Sequence, residues 1–185
     1  DGAILNYFLK AAAKEVTLEI FDQQNKLVRR YASSDQPERI DEDRLAYPSY
    51  WFRPPRLLSK QAGMQRWTWD LHYPPPPGFP RSYGMQAIYR ETPIGPFGPT
   101  AAPGNYTVKL TVDGKSFTQS LTLKMDPRVT TPPAALAKAH DVAMQSYDSI
   151  LKVRAAQAEA RRLREQLKAL TDRAGTLATA IADLD

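Results

Sequence analysis

The sequence predicts a mainly β structure over residues 1–128, a sandwich or barrel, that hands over to a long helix or helical hairpin over residues 129–185. Two hairpin patterns and one change of period carry this expectation. The sharpest is Ala102–Arg128, where Tyr106, Val108, Leu110 and Val112 alternate with Thr107, Lys109 and Thr111. That is the period of a strand with one buried face. Asp113-Gly114 then supplies the positive-φ pair of a tight type I′ turn, and Phe117, Leu121, Leu123 and Met125 resume the apolar face. A lone hairpin cannot bury such a face, so it must join further strands.

The remaining elements follow in chain order. Ala3–Leu9 is strand-like. Val16, Leu18 and Ile20 alternate with Thr17 and Glu19, and Asp22-Gln23-Gln24-Asn25 turns the chain into Lys26–Tyr31, a second hairpin. From Ala32 to Gly63 regular patterning is lost, with a polar loop at Ser33–Pro37, a charged run at Glu38–Arg44 and a proline- and aromatic-rich stretch at Tyr47–Pro55. Gly63–Leu71 reads as a strand whose Trp67, Trp69 and Leu71, with Tyr73 beyond, face the core. Pro74–Pro77 ends it, because proline offers no ladder donor. Met85–Tyr89 is a further strand candidate, and Thr92–Gly104 a long connection.

After Asp126-Pro127-Arg128 the period changes. Thr131 is a candidate N-cap with proline at the first helical positions, and no glycine or proline interrupts Ala134–Ala174. Leu136, His140, Ala143, Tyr147 and Leu151 form an apolar stripe. Val153, Ala156, Ala160, Leu163, Leu167, Leu170, Ala174, Leu177, Ile181 and Leu184 then step by three and four, a heptad seam. A straight helix to Asp185 would reach on the order of 80 Å at 1.5 Å per residue, which favours a hairpin turning at Thr171–Gly175, with Thr171 or Asp172 starting the second helix. A continuous helix pairing with a partner is the alternative.

The 185 residues carry a net charge of +5, with Lys and Arg scattered or set among acidic neighbours on the helix. That distribution is expected of a solvated surface and not of a nucleic-acid interface. Cysteine is absent, which removes disulfides, thiol nucleophiles and Cys-based zinc sites. No apolar run approaches the roughly 20 residues of a membrane-spanning helix. The chain opens on a strand pattern without methionine and stops within a helical one, so a longer parent protein is expected.

No catalytic constellation is expected. His72 and His140 are the two histidines, read as packed or partly exposed groups. Asp41, Glu42 and Asp43 lie in a charged run read as a solvated loop, and Asp70 reads as a turn acceptor. No cofactor or metal site is expected. The aromatics Tyr47, Tyr50, Trp51 and Phe52 are the candidate interaction surface. They suit docking against a neighbouring domain, or sugar stacking on a sandwich. The seam residues Leu163, Leu167, Leu170, Leu177, Ile181 and Leu184 are the candidate helix–helix contact, within a hairpin or by self-association.

The order GMQRWTWDLHYPPPP, a TP-x-GP segment, then PGNYTVKLTVDGKSFTQSLTLKMDPR and a charged helix resembles the C-terminal region of large exported bacterial proteins. Those carry sialidase-like or sortilin-like β-propellers and are labelled glycosyl hydrolases with Asp-box repeats. YPSYWFRPP and the Asp1-Gly2-Ala3 opening are similar too, while PGNYTVKLTVDG is also similar to the Ig-like module of flagellar hook-capping proteins. The resemblance implies an Ig-like or fibronectin-like sandwich, periplasmic or extracellular, that serves as a non-catalytic accessory module to an N-terminal propeller or another protein. A carbohydrate-binding module is the alternative. The propeller's Ser-x-Asp-x-Gly-x-Thr-Trp pattern does not occur here, so no catalytic residue is carried over.

Overall fold

A computed structural model describes residues 2–37, 43, 48–52, 56–79, 82–83, 88–90, 92 and 94–174. Strands β1 (Ala3–Leu9), β2 (Val16–Phe21), β3 (Leu27–Ala32), β4 (Gly63–Trp69), β5 (Ser82–Tyr83), β6 (Ile94–Gly95), β7 (Gly104–Val112) and β8 (Lys115–Leu123) precede one helix, α1 (Pro133–Ala174). The strands form a four-stranded antiparallel sheet in the order β3-β2-β7-β8 and a two-stranded sheet, β1-β4, with β5-β6 a small separate pair. The first two face each other as a sandwich and share one core.

Both hairpins form where the periodicity predicts them. Asp113 and Gly114 take φ of 48° and 84°, and β7 and β8 pair without a break from Val112↔Lys115 to Gly104↔Leu123. In the β2–β3 turn the Asp22 carboxylate accepts from the backbone N–H of Gln24 and Lys26 at 2.9 and 2.8 Å. Asn25 there takes φ 59°, a conformation Asn tolerates well. The two hairpins join through β2 and β7, where Leu18 opposes Leu110 and Glu19 opposes Lys109. The last pair forms a 3.2 Å ion pair.

The core is built from alternate residues of facing strands. Val16, Leu18 and Ile20 from β2 and Tyr106 and Val108 from β7 meet Tyr7 and Leu9 from β1 and Trp69 from β4. Trp69 is fully buried and packs edge-on against Tyr106, centroids 5.5 Å apart. Tyr31 of β3 meets Trp67 of β4 at 4.7 Å, which sets β4 over the β3 side of the larger sheet. Burial drives the hydroxyls of Tyr31 and Tyr106 up to about 12, because desolvation penalises the phenolate.

Past β4 the chain kinks at Leu71, φ 62°, and then pairs again. Leu71 accepts from Ala101 N–H at 2.7 Å and Tyr73 donates to Pro99 at 2.9 Å. Gly98 permits this approach, since a Cβ there would lie 2.3 Å from the Pro74 carbonyl oxygen. The Tyr106 hydroxyl reaches back to the Ala102 carbonyl, tying the entry of β7 to its own strand.

Four sequence expectations need correction. Phe117 lies on the core-facing side of β8 yet is 61% exposed, because the two-stranded sheet does not cover the turn end of β8, while Leu121 and Leu123 farther along pack against the core. The helical stripe uses Met144, packed against the core, in place of the exposed Ala143. Pro132 and not Thr131 supplies the first helical acceptor, taking bonds from Ala135 and Leu136 at 2.9 and 3.1 Å, and Pro133 opens the helix. Thr171 and Asp172 continue α1 instead of starting a second helix, as an alanine- and leucine-rich run without a breaker should. Gly175, Leu177, Ile181 and Leu184 lie outside the described residues, as do most of the proposed Met85–Tyr89 strand and Tyr47.

Candidate functional site

The aromatic segment is shaped by a single 3-10 turn over Ser49–Trp51. Trp51 donates to the Pro48 carbonyl at 3.0 Å and Phe52 to Ser49 at 3.1 Å. Phe52 is 2% exposed and bridges Thr92 through the backbone. Thr92, fully buried, closes a loop back to Ile88, its hydroxyl accepting from Ile88 N–H at 2.8 Å and donating to the Ile88 carbonyl at 2.9 Å. That loop delivers Tyr89 to the aromatic segment. Its ring meets Trp51 edge-on at 5.8 Å and Tyr50 at 6.3 Å, with the Arg90 guanidinium 5.2 Å above it.

Tyr50 and Tyr89 remain 60% and 54% exposed, and Trp51 is half-buried. Three of the four expected aromatics thus lie in the described structure, two on the surface. Phe52 is an anchor under the cluster and takes no direct part in a surface. Tyr89, expected from the sequence to lie in a Met85–Tyr89 strand, is a further member of the cluster. Only the Thr92 loop brings it to Trp51, and no periodicity signals a contact across 38 residues of chain. Tyr89 thus stands edge-on to its two neighbours, while Tyr50 and Trp51 tilt by only 30° with centroids 6.3 Å apart, all within the spacing that aromatic pairs prefer.

The second candidate surface is α1. Its first half is strapped to one end of the sandwich. The His140 ring contacts the Thr100 carbonyl at 3.0 Å, Tyr147 donates to Pro74 at 2.9 Å, and both rings meet Tyr73 at 6.1 and 6.4 Å. Farther along, the Arg154 guanidinium lies 4.3 Å over Phe79. Beyond Arg154 almost every residue to Leu170 is exposed, an arm of about 24 Å at helical rise. Of the expected seam, Leu163 and Leu170 are 48% and 53% exposed and Leu167 is half-buried.

Asp70, His72 and His140 have structural partners. Asp70 accepts from His72 N–H at 3.2 Å, the turn role the sequence suggested. The two ring nitrogens of His72 lie 2.7 Å from the Asp70 carbonyl and 3.3 Å from the Thr100 hydroxyl. Asp70 and His72 border an open cleft of about 350 Å³ with Arg29, Phe79 and Phe97. Among the described residues no cluster of three or more acidic or histidine side chains could hold a metal, and no helix is long and apolar enough to cross a membrane. Asp41 and Glu42 lie outside the described residues. No protein-family model, curated protein or solved structure matches the chain.

Proposed function

We propose that this chain is a non-catalytic interaction module, a rigid β-sandwich spacer that presents an aromatic patch and a helical arm to neighbouring protein. The observation that carries the reading is the Tyr50–Trp51–Tyr89 cluster, apolar edges and hydroxyls held on a buried Phe52–Thr92 anchor. Tyrosine-rich, preorganised surfaces give large contact area at low entropic cost and are enriched at interfaces. The arm adds Leu163 and Leu170 for burial against a partner helix.

The strand order supports an Ig-like or fibronectin-like sandwich. A β3-β2-β7-β8 antiparallel sheet facing a smaller β1-β4 sheet is similar to the two facing antiparallel sheets of such domains. The Tyr106 hydroxyl on the Ala102 carbonyl resembles the tyrosine corner of such domains, whose hydroxyl bonds back to the backbone a few residues upstream. With the resemblance of Tyr47–Tyr73 and Pro103–Arg128 to exported propeller-bearing proteins, this favours a periplasmic or extracellular accessory role beside a β-propeller. Hydroxyl-radical footprinting tests it. Tyr50 and Tyr89 should be labelled in the isolated chain and protected in the full-length parent, and equal labelling in both would sink the docking role. Exposed Tyr50 also keeps a carbohydrate-binding reading open to trial: glycan-array binding that Trp51→Ala abolishes would replace docking with sugar recognition.

A further inference from the structure

We propose that the free edge of β8 pairs with the same edge of a second copy of this chain, joining two four-stranded sheets into one. The two edges of the larger sheet are built differently. β3 is six residues long, carries Arg29 and Arg30, and its pairing with β2 shifts register at Ile20/Phe21. Short length, charge and a bulge are the devices that keep an edge from accepting another strand. β8 has none of them. It is nine residues long, pairs with β7 in unbroken register, contains no proline or glycine, and bears its single charge at Lys115, its first residue.

Its backbone is aimed to pair. The type I′ turn closes on Val112 and Lys115 as a hydrogen-bonded pair, and bonded and non-bonded pairs then alternate along the ladder. Ser116, Thr118, Ser120 and Thr122 therefore direct their N–H and C=O groups away from β7. An antiparallel copy related by a two-fold axis at Gln119 would match Thr118 with Ser120 and Ser116 with Thr122 of the second copy. Those are the residues whose backbone is free. On the core-facing side Phe117 would lie opposite Leu121 of the second copy, covering a phenylalanine that is now 61% exposed. Such a pattern reads the same from either chain, as an isologous contact requires, and no like charges meet.

On this edge Phe117 is open while Leu121 and Leu123 farther along the strand pack against the core, so the uncovered apolar surface lies beside the turn half of β8. The arm of α1 plays no part in the contact.

Sedimentation equilibrium of the whole chain, up to about 300 μM to reach the weak affinity of a small interface, should show a monomer–dimer equilibrium. Ser120→Pro removes an N–H that β7 does not use, a position where an edge strand tolerates proline, and should shift the chain to monomer. Gln119→Lys, which sets two ammonium groups opposite each other across the axis, should do the same with helix content and Tm unchanged, so the test survives if the proline variant fails to fold. Amide exchange at Thr118 and Ser120 should slow as concentration rises. A chain monomeric throughout that range overturns the proposal. A dimer that persists in Gln119→Lys overturns it equally, and its loss in Leu163→Glu would place the contact on the helical seam.

Discussion

The two hairpins of the large sheet are alike in sequence and opposite in fate. Each pairs antiparallel strands across a tight polar turn, and each alternates apolar with polar side chains. In β2–β3, Val16, Ile20 and Val28 are buried to 1% exposure or less. In β7–β8, only Tyr106 and Val108 of the inner strand reach comparable burial, and the first six residues of β8 are exposed on both faces. The hairpin with the clearer local signal is the one whose outer strand contributes least to the core. Local pattern reports that a strand forms, and burial reports what lies across from it.

Substitutions can test that contrast, starting with the largest effect. Trp69→Ala, at the point where both hairpins meet the small sheet, should cost about 3–5 kcal/mol in urea unfolding. Ile20→Ala should cost about 2–5 kcal/mol. Phe117→Ala, measured at dilution where the chain is monomeric, should stay within about 0.5 kcal/mol. Equal costs at Ile20 and Phe117 would mean β8 is roofed after all.

Turn and corner contacts come next. Asp113 accepts backbone N–H from Lys14 and Glu15, both at 2.9 Å, stitching the β7–β8 turn to the start of β2. Asp113→Asn retains one acceptor oxygen and a residue tolerant of positive φ, whereas Asp113→Ala loses both and should destabilise by about 1–2 kcal/mol. Tyr106→Phe, which removes the bond to Ala102, should cost about 0.5–1.5 kcal/mol.

A separate effect appears at alkaline pH. Burial holds the Tyr31 and Tyr106 hydroxyls protonated in the fold up to about 12, while the unfolded chain releases those protons from its ordinary value of 10.0. The folded state then binds more protons than the unfolded one, so stability is intact below pH 10 and falls as pH rises toward 12. Tm measured from pH 9 to 12 should decline, and less steeply in Tyr106→Phe.

The aromatic surface was only partly legible. Tyr50 and Trp51 stand out by composition, but Phe52 is indistinguishable from them in sequence and proves to be the buried anchor. Tyr89 joins them through a loop closed by Thr92. Whether an aromatic is anchor or surface depends on neighbours distant in the chain, and periodicity carries no information about those. The helix shows the same limit. Its 3.6-residue pattern announces α1, yet Met144 and not Ala143 meets the core, because the sandwich's end selects which side of the helix is held.

What the sequence determined by itself was element type and position. Alternation, Asp-Gly and Asp-x-x-Asn turns and the Pro-Pro helix start act within a few residues, where backbone sterics and side-chain hydrogen bonds suffice. The tertiary structure decided partners and order: β1 with β4, β2 with β7, a two-stranded sheet facing four strands, and a helix whose first half is strapped to the sandwich. Those choices are made by long-range burial and by which backbone edges remain free. They leave β8, so plainly written in the sequence, as the open edge of the molecule.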